Sequence, residues 1–214
     1  MKIHKATVVA LMIAFAVVSI PGRTFAIDFT QKELERLQAG KTVNKPLAKS
    51  GKGGFFGGTG WAIVDAPVDV VWAALQDWSA YPDVFPRTVA VKELKKRGKQ
   101  SLVHMELGYK ILRVKYDVNI VRDAENKTLS FNLVHNRPHD LEETRGYWRL
   151  FPQKDGRTLV AYAVAVQVPA GIVAFLGNKL EKKLTRYLIQ LPKFVKRWVE
   201  SPSGNRYRTM TAKK

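Results

Sequence analysis

The chain has 214 residues with a formal charge of +18, 46% hydrophobic and 10% aromatic residues, and no cysteine. That length provides for one domain of ordinary size plus extensions, and the apolar fraction provides for a buried core. The missing cysteines exclude a disulfide framework, a thiolate nucleophile and a thiolate metal site.

Residues 1–26 have the three parts of a secretory leader: the basic MKIHK, an apolar run, and PGRTFA with small residues before a cut after Ala26. The apolar run is short of the roughly 20 residues that span a bilayer. No cysteine stands near the cut, as a lipoprotein would need. The mature chain is therefore expected in the periplasm or outside the cell. Lys2, Lys5 and Arg23 would leave with the leader. The cations that remain suit an anionic membrane surface or an acidic partner, and export argues against nucleic acid. A solvated basic surface with no partner is the plain alternative.

Residues 27–58 read as a short helix and a Gly/Lys-rich extension. Thr30 and Glu33 have capping-box spacing, Leu34 and Leu37 share a face and Gly40 is a stop signal. A strand over 42–47 and a flexible turn over 49–54 follow. From Thr59 a strand runs to Ala66. Pro67 then fits the first turn of a helix whose apolar face is Val71, Trp72 and Leu75. WSAYPDVFP is an aromatic, proline-rich connection with a further short helix or turn.

Six strands are predicted next, at about 88–94, 101–109, 111–121, 128–135, 144–151 and 158–168, separated by turn signals. The clearest alternation sets Leu112, Val114, Tyr116, Val118 and Ile120 against Arg113, Lys115, Asp117 and Asn119, one buried face and one wet face. The last strand is apolar on both faces, with Val160, Tyr162, Val164 and Val166 on one and Ala161, Ala163 and Ala165 on the other. The alanine row admits two readings, close packing of a helix or room for a ligand. A basic amphipathic helix closes the pattern over about 170–200. Leu176, Leu180, Leu184, Leu188, Leu191, Val195 and Trp198 form its stripe, and Pro192 should kink it. Residues 202–214 lack a periodic apolar face and read as a disordered basic tail.

This order of elements predicts an α+β fold of the helix-grip kind, a curved antiparallel sheet wrapped around a long C-terminal helix. The opening of the domain carries a resemblance. Ala66-Pro67, Val71-Trp72, Asp77-Trp78, Tyr81-Pro82 and Phe85-Pro86, with Gly146-Tyr147-Trp148-Arg149-Leu150 further on, resemble the START-like helix-grip superfamily, in particular its polyketide cyclase and coenzyme Q-binding branch. The resemblance covers about 59–201. It implies a hydrophobic cavity between sheet and helix, and it does not choose among carriers, cyclases and silent binders.

HNRPHDLEE, residues 135–143, is the stretch closest to a chemical motif. His135 and His139 have the spacing of two ligands on one helix face, but Pro138 and the turn formers around it make this a loop. A metal site needs three or four ligands, so neither a metal nor a cofactor is expected, and no residue is assigned a catalytic role. Leu129, Phe131, Leu133 and His135 share one strand face, which would bring His135 to the mouth of the grip as a headgroup contact. The candidate ligand contacts are Tyr109, Tyr116, Phe131, Leu133, His135, Trp148 and Phe175, the last in the apolar patch GIVAFLG at the start of the final helix. That patch would touch a membrane, gate the pocket, or be buried against the N-terminal segment.

The expected function is non-catalytic binding or transport of an apolar small molecule, a quinone, isoprenoid or lipid, in the cell envelope. A cyclase or aromatase would instead need an acid/base pair in the cavity, for which His135 with Tyr116 or Tyr109 are the candidates. A ligand-free module that docks on the envelope through its basic surface is the third possibility.

Overall fold

The computed structural model describes residues 28–47, 54–109 and 112–212, with side chains throughout except at 109, 112 and 172–181. The expected leader and the turn over 49–54 therefore lie outside the described residues, the turn except for Gly54. One antiparallel sheet of eight strands, in the order β1-β2-β8-β7-β6-β5-β4-β3, curves around the C-terminal helices as a helix grip.

The N-terminal segment is part of this sheet. Helix α1 (Gln31–Gln38) starts at a complete capping box, in which Thr30 Oγ1 accepts from the Glu33 N–H and the Glu33 carboxylate accepts from the Thr30 N–H. Strand β1 (Val43–Pro46) pairs with β2 (Phe55–Val64). Leu37, Val43, Trp61, Ile63 and Ala161 form a small core on the outer face of the sheet. The alanine row of β8 (Thr158–Gln167) thus faces away from the grip, with Ala161 in this core beneath α1. Of its two readings, close packing holds for Ala161, and room for a ligand is corrected.

Helix α2 (Val68–Leu75) follows Pro67, as the proline rule requires. A 3-10 turn (Trp78–Ala80) and the short α3 (Tyr81–Val84) form the aromatic connection. Strands β3 (Thr88–Arg97), β4 (Gln100–Tyr109), β5 (Leu112–Asp123), β6 (Thr128–Leu133), β7 (Glu143–Pro152) and β8 make a meander of neighbours. Inward-facing residues of that meander meet Val71 and Leu75 of α2 in the main core, together with Val195, Trp198 and Val199.

The closing helix is two helices. α4 (Ala170–Ile189) ends at Gln190, and α5 (Leu191–Val199) begins with Pro192 in its first turn. A proline tolerated only in a first turn converts the expected kink into a break two residues earlier. The break rests on Gly60, where a Cβ would stand 2.0 Å from the Ile189 carbonyl oxygen.

Residues 202–212 of the tail are helical, where disorder was expected. A 3-10 turn (Pro202–Gly204) leads into α6 (Asn205–Ala212). Tyr207, 2% exposed, stacks edge-on against Trp198 and donates its hydroxyl to Asp77 at 2.6 Å. One anchoring aromatic holds the segment without any periodic face.

Candidate functional site

Alternation decides what faces the helices. Tyr116, Val118 and Ile120 of β5, Leu129 and Phe131 of β6, Trp148 of β7 and Tyr162 and Val164 of β8 all point inward, and Tyr187 and Leu188 of α4 meet them. Between them lies an apolar cavity in two adjoining lobes of about 100 and 120 Å³. Trp78, Phe85, Leu129 and Trp148 belong to the first, and Phe56, Leu141, Val164 and Val166 to the second. Leu107, Tyr116, Phe131, Tyr162, Tyr187 and Leu188 border both. The rings pack on one another: Trp148 lies 4.2 Å from Tyr162, and Phe131 stacks on Tyr162 at 6.2 Å and 22°.

The polar groups of the lining are few. Tyr81 donates its hydroxyl to the Leu75 carbonyl at 2.7 Å, and the Tyr187 hydroxyl accepts from the Arg87 N–H at 3.3 Å. Thr88 lines the first lobe and Thr144 the second. Arg87 is the one charged side chain among the described lining residues, its guanidinium 5.0 Å above the Tyr187 ring. Burial pushes the phenols of Tyr116, Tyr162 and Tyr187 up, so all three are neutral at physiological pH.

Of the expected contacts, Tyr116, Phe131 and Trp148 come together in this lining. Leu133 is buried in the main core but borders neither lobe. The side chains of Tyr109 and Phe175, and the 172–177 patch, lie outside the described residues. His135 is corrected: its side chain is 59% exposed, 3.4 Å from the Glu143 carboxylate and edge-on to His139. Strand β6 ends at Leu133, so the alternation that would have turned His135 inward stops two residues too soon.

The loop over 134–142 is nonetheless more than a solvated turn. Asp140 exchanges hydrogen bonds with the backbone of Lys115, its N–H donating to the carbonyl and its carboxylate accepting from the N–H. Arg137 ion-pairs with Asp117, which is 3% exposed and also bonded to His104 Nδ1 at 2.6 Å. Leu141, drawn in by these ties, forms part of the wall of the second lobe. Asp117 had been expected on the wet face of its strand. Counting outward from the Tyr109↔Leu112 pair puts it opposite His104, so register could have found this cluster, whereas its burial depends on Arg137 from a distant loop. Tyr162, Tyr187 and Arg87 were likewise not singled out, because the facing of a doubly apolar strand is not written in its own pattern.

Burial alone would raise the Asp117 pKa, but the hydrogen bonds from Arg137 and His104 outweigh it and hold the carboxyl below its ordinary 3.8. A folded pKa below the unfolded one means stability that is present above the unfolded value and is lost as pH falls through the folded one. Acid unfolding followed from pH 6 downward should therefore be steeper in the wild type than in Asp117→Asn, with the difference confined to about pH 4 and below. Parallel curves would show that Asp117 carries none of it.

Among the described residues no cluster of His, Asp and Glu could hold a metal ion. No described helix is long and apolar enough to cross a membrane. Residues 64–190, more than half of the chain, match the model of the family described as polyketide cyclase / dehydrase and lipid transport. No curated protein matches the chain. Solved structures match its fold at low identity. A START superfamily protein from Mycobacterium smegmatis is 17% identical over 66% of this chain and 95% of its own, with a TM-score of 0.56. The Zhui aromatase/cyclase from a Streptomyces species is 18% identical over 72% and 93%, with a TM-score of 0.55. A STAR-related lipid transfer protein from Xanthomonas axonopodis is 14% identical over 74% and 99%, with a TM-score of 0.53.

Proposed function

The chain belongs to the polyketide cyclase / dehydrase and lipid transport family, and on that premise we propose that it binds one apolar small molecule, a quinone, isoprenoid or lipid, without chemical turnover, in the cell envelope. The observation that carries this reading is the lining. Among the described residues its surface is aromatic and aliphatic, with neutral hydroxyls and one charged side chain that covers a tyrosine ring. General acid/base catalysis needs two groups of matched pKa within hydrogen-bond reach of the reacting atoms. Of the candidates for such a pair, His135 stands outside the cavity, Tyr116 is held neutral within it, and the side chain of Tyr109 lies outside the described residues. The leader pattern over 1–26 supports an envelope location, and Lys95, Lys96 and Arg97 on β3 and Lys193 and Arg197 on α5 are exposed cations of the kind anionic lipid attracts.

Protein isolated gently from the envelope of its own cells should carry, by native mass spectrometry and solvent extraction, one neutral apolar molecule per chain. A mass with no adduct, joined to turnover of a polyketone by the same preparation, would replace carriage with catalysis.

A further inference from the structure

The sheet ends at β3, and this edge strand carries charge and apolar surface that the cavity does not use. Residues 92–99 hold five cations, Lys92, Lys95, Lys96, Arg97 and Lys99, all exposed and none in an ion pair among the described residues. The one acid of the stretch, Glu93, is engaged by Arg122 at 2.9 Å and by the Ser101 hydroxyl. The pairing with β4 skips Val89 and Leu94, and at each of these bulges the extra residue is an apolar side chain 39% exposed. On the helices, by contrast, every exposed residue between 182 and 199 is a cation.

We infer that the β3 edge, from Val89 to Lys99, is the surface by which the protein docks on an anionic lipid bilayer, its cations among the headgroups and Leu94 dipping below them. The inference rests on the envelope location proposed above, is independent of what the cavity holds, and decides between the two basic elements. Adsorption to such a bilayer grows with the apolar area buried at headgroup level and with the attraction of anionic lipid for cations, and of the two elements only β3 offers both among the described residues. Cross-strand partners share a face. Lys92 and Lys95, opposite His104 and Leu102, therefore lie on the outer face, and Lys96, opposite the buried Ser101, on the inner one. A headgroup layer closes round an edge and meets both faces at once, whereas a folded acidic protein meets one. A partner strand is disfavoured as well, because the two bulges interrupt the row of backbone groups it would have to follow.

The purified protein should sediment with vesicles of equal parts phosphatidylglycerol and phosphatidylcholine at about 0.1 M salt, leave them by about 0.5 M, and ignore vesicles of phosphatidylcholine alone. Replacing Lys92, Lys95, Lys96 and Arg97 by Gln together should lower the partition about 5-fold per cation, several hundred-fold in all. Replacing Lys182, Arg186, Lys193 and Arg197 by Gln removes the same charge and should cost less than about 5-fold, while Leu94→Ser should cost about 3-fold. Melting midpoints should stay level throughout, since each of these side chains is exposed. Equal losses in the two fourfold variants, or no wild-type binding to the mixed vesicles, would overturn the inference. Retention on immobilised polyglutamate without vesicle binding would overturn it too, and would give the edge to an acidic protein. None of these results touches the adduct sought by native mass spectrometry, so the cavity reading stands or falls separately.

Discussion

Gly60→Val should destabilise the protein by about 3 kcal/mol or more, on the order of 10 °C in melting midpoint for a chain of this size. The residue lies mid-strand in β2, paired with Asn44 on one side and Tyr162 on the other. Its inner face is where the end of α4 comes down onto the sheet. A Cβ would stand 2.0 Å from the Ile189 carbonyl oxygen and 3.2 Å from the Asn44 side-chain amide, and both neighbours are held, one by helix backbone and the other in the shortest strand. Turned with its amide nitrogen toward the helix, Asn44 donates to that same carbonyl at 2.8 Å, which helps to fix the helix end in place. A branched side chain must lift α4 off β2 or bend β2 away from it, and either movement opens the seat of Tyr187 and Leu188 above the cavity. Thermal denaturation decides the matter: a midpoint within about 2 °C of wild type would show that the helix end has room the structure does not give it.

Leu107→Trp should abolish binding while leaving the fold in place. Leu107 borders both lobes, and an indole there takes up space at their junction, where each lobe offers only about 100 to 120 Å³. Overpacking into existing space costs about 1–3 kcal/mol. The loss of affinity for naphthalene should be about 100-fold or greater, since the ring can no longer enter. Circular dichroism and a cooperative melt would establish folding, and titration would establish binding. Retained affinity within about 3-fold would place the ligand somewhere other than between the sheet and α4.

The parts of this architecture legible in the sequence were those with a local period or a local cap. Thr30 with Glu33, Pro67 before α2, and the inward set Tyr116, Val118 and Ile120 each reflect a rule that acts within a few residues. What was not legible depended on which distant surface covers a face. Nothing in β8 alone says whether the alanines or the Val160, Tyr162, Val164 row meets the helices. Leu37 and Val43 of the N-terminal segment pack on the side of Ala161, and that assigns the other row to the cavity. His135 failed for a related reason, because its facing was extrapolated along a strand that the loop ties of Asp140 and Arg137 end early. The tail failed because a single anchor, Tyr207 on Asp77 and Trp198, has no period to detect.

The order of the strands also bears on how the molecule behaves in company. A sheet that does not close on itself has two open flanks, each a row of backbone groups that another chain could extend. Here β1 is four residues long and finishes in Pro46, which has no N–H to offer. At the opposite flank β3 presents Lys92, Lys95, Lys96 and Arg97 along its length and is largely exposed. Two copies brought flank to flank there would bring these cations close together, which disfavours the pairing. For a chain with no disulfide to preserve it, the cations of β3 and the proline of β1 act against fibre-like self-association, and they would do so whether or not the basic surface ever meets a lipid.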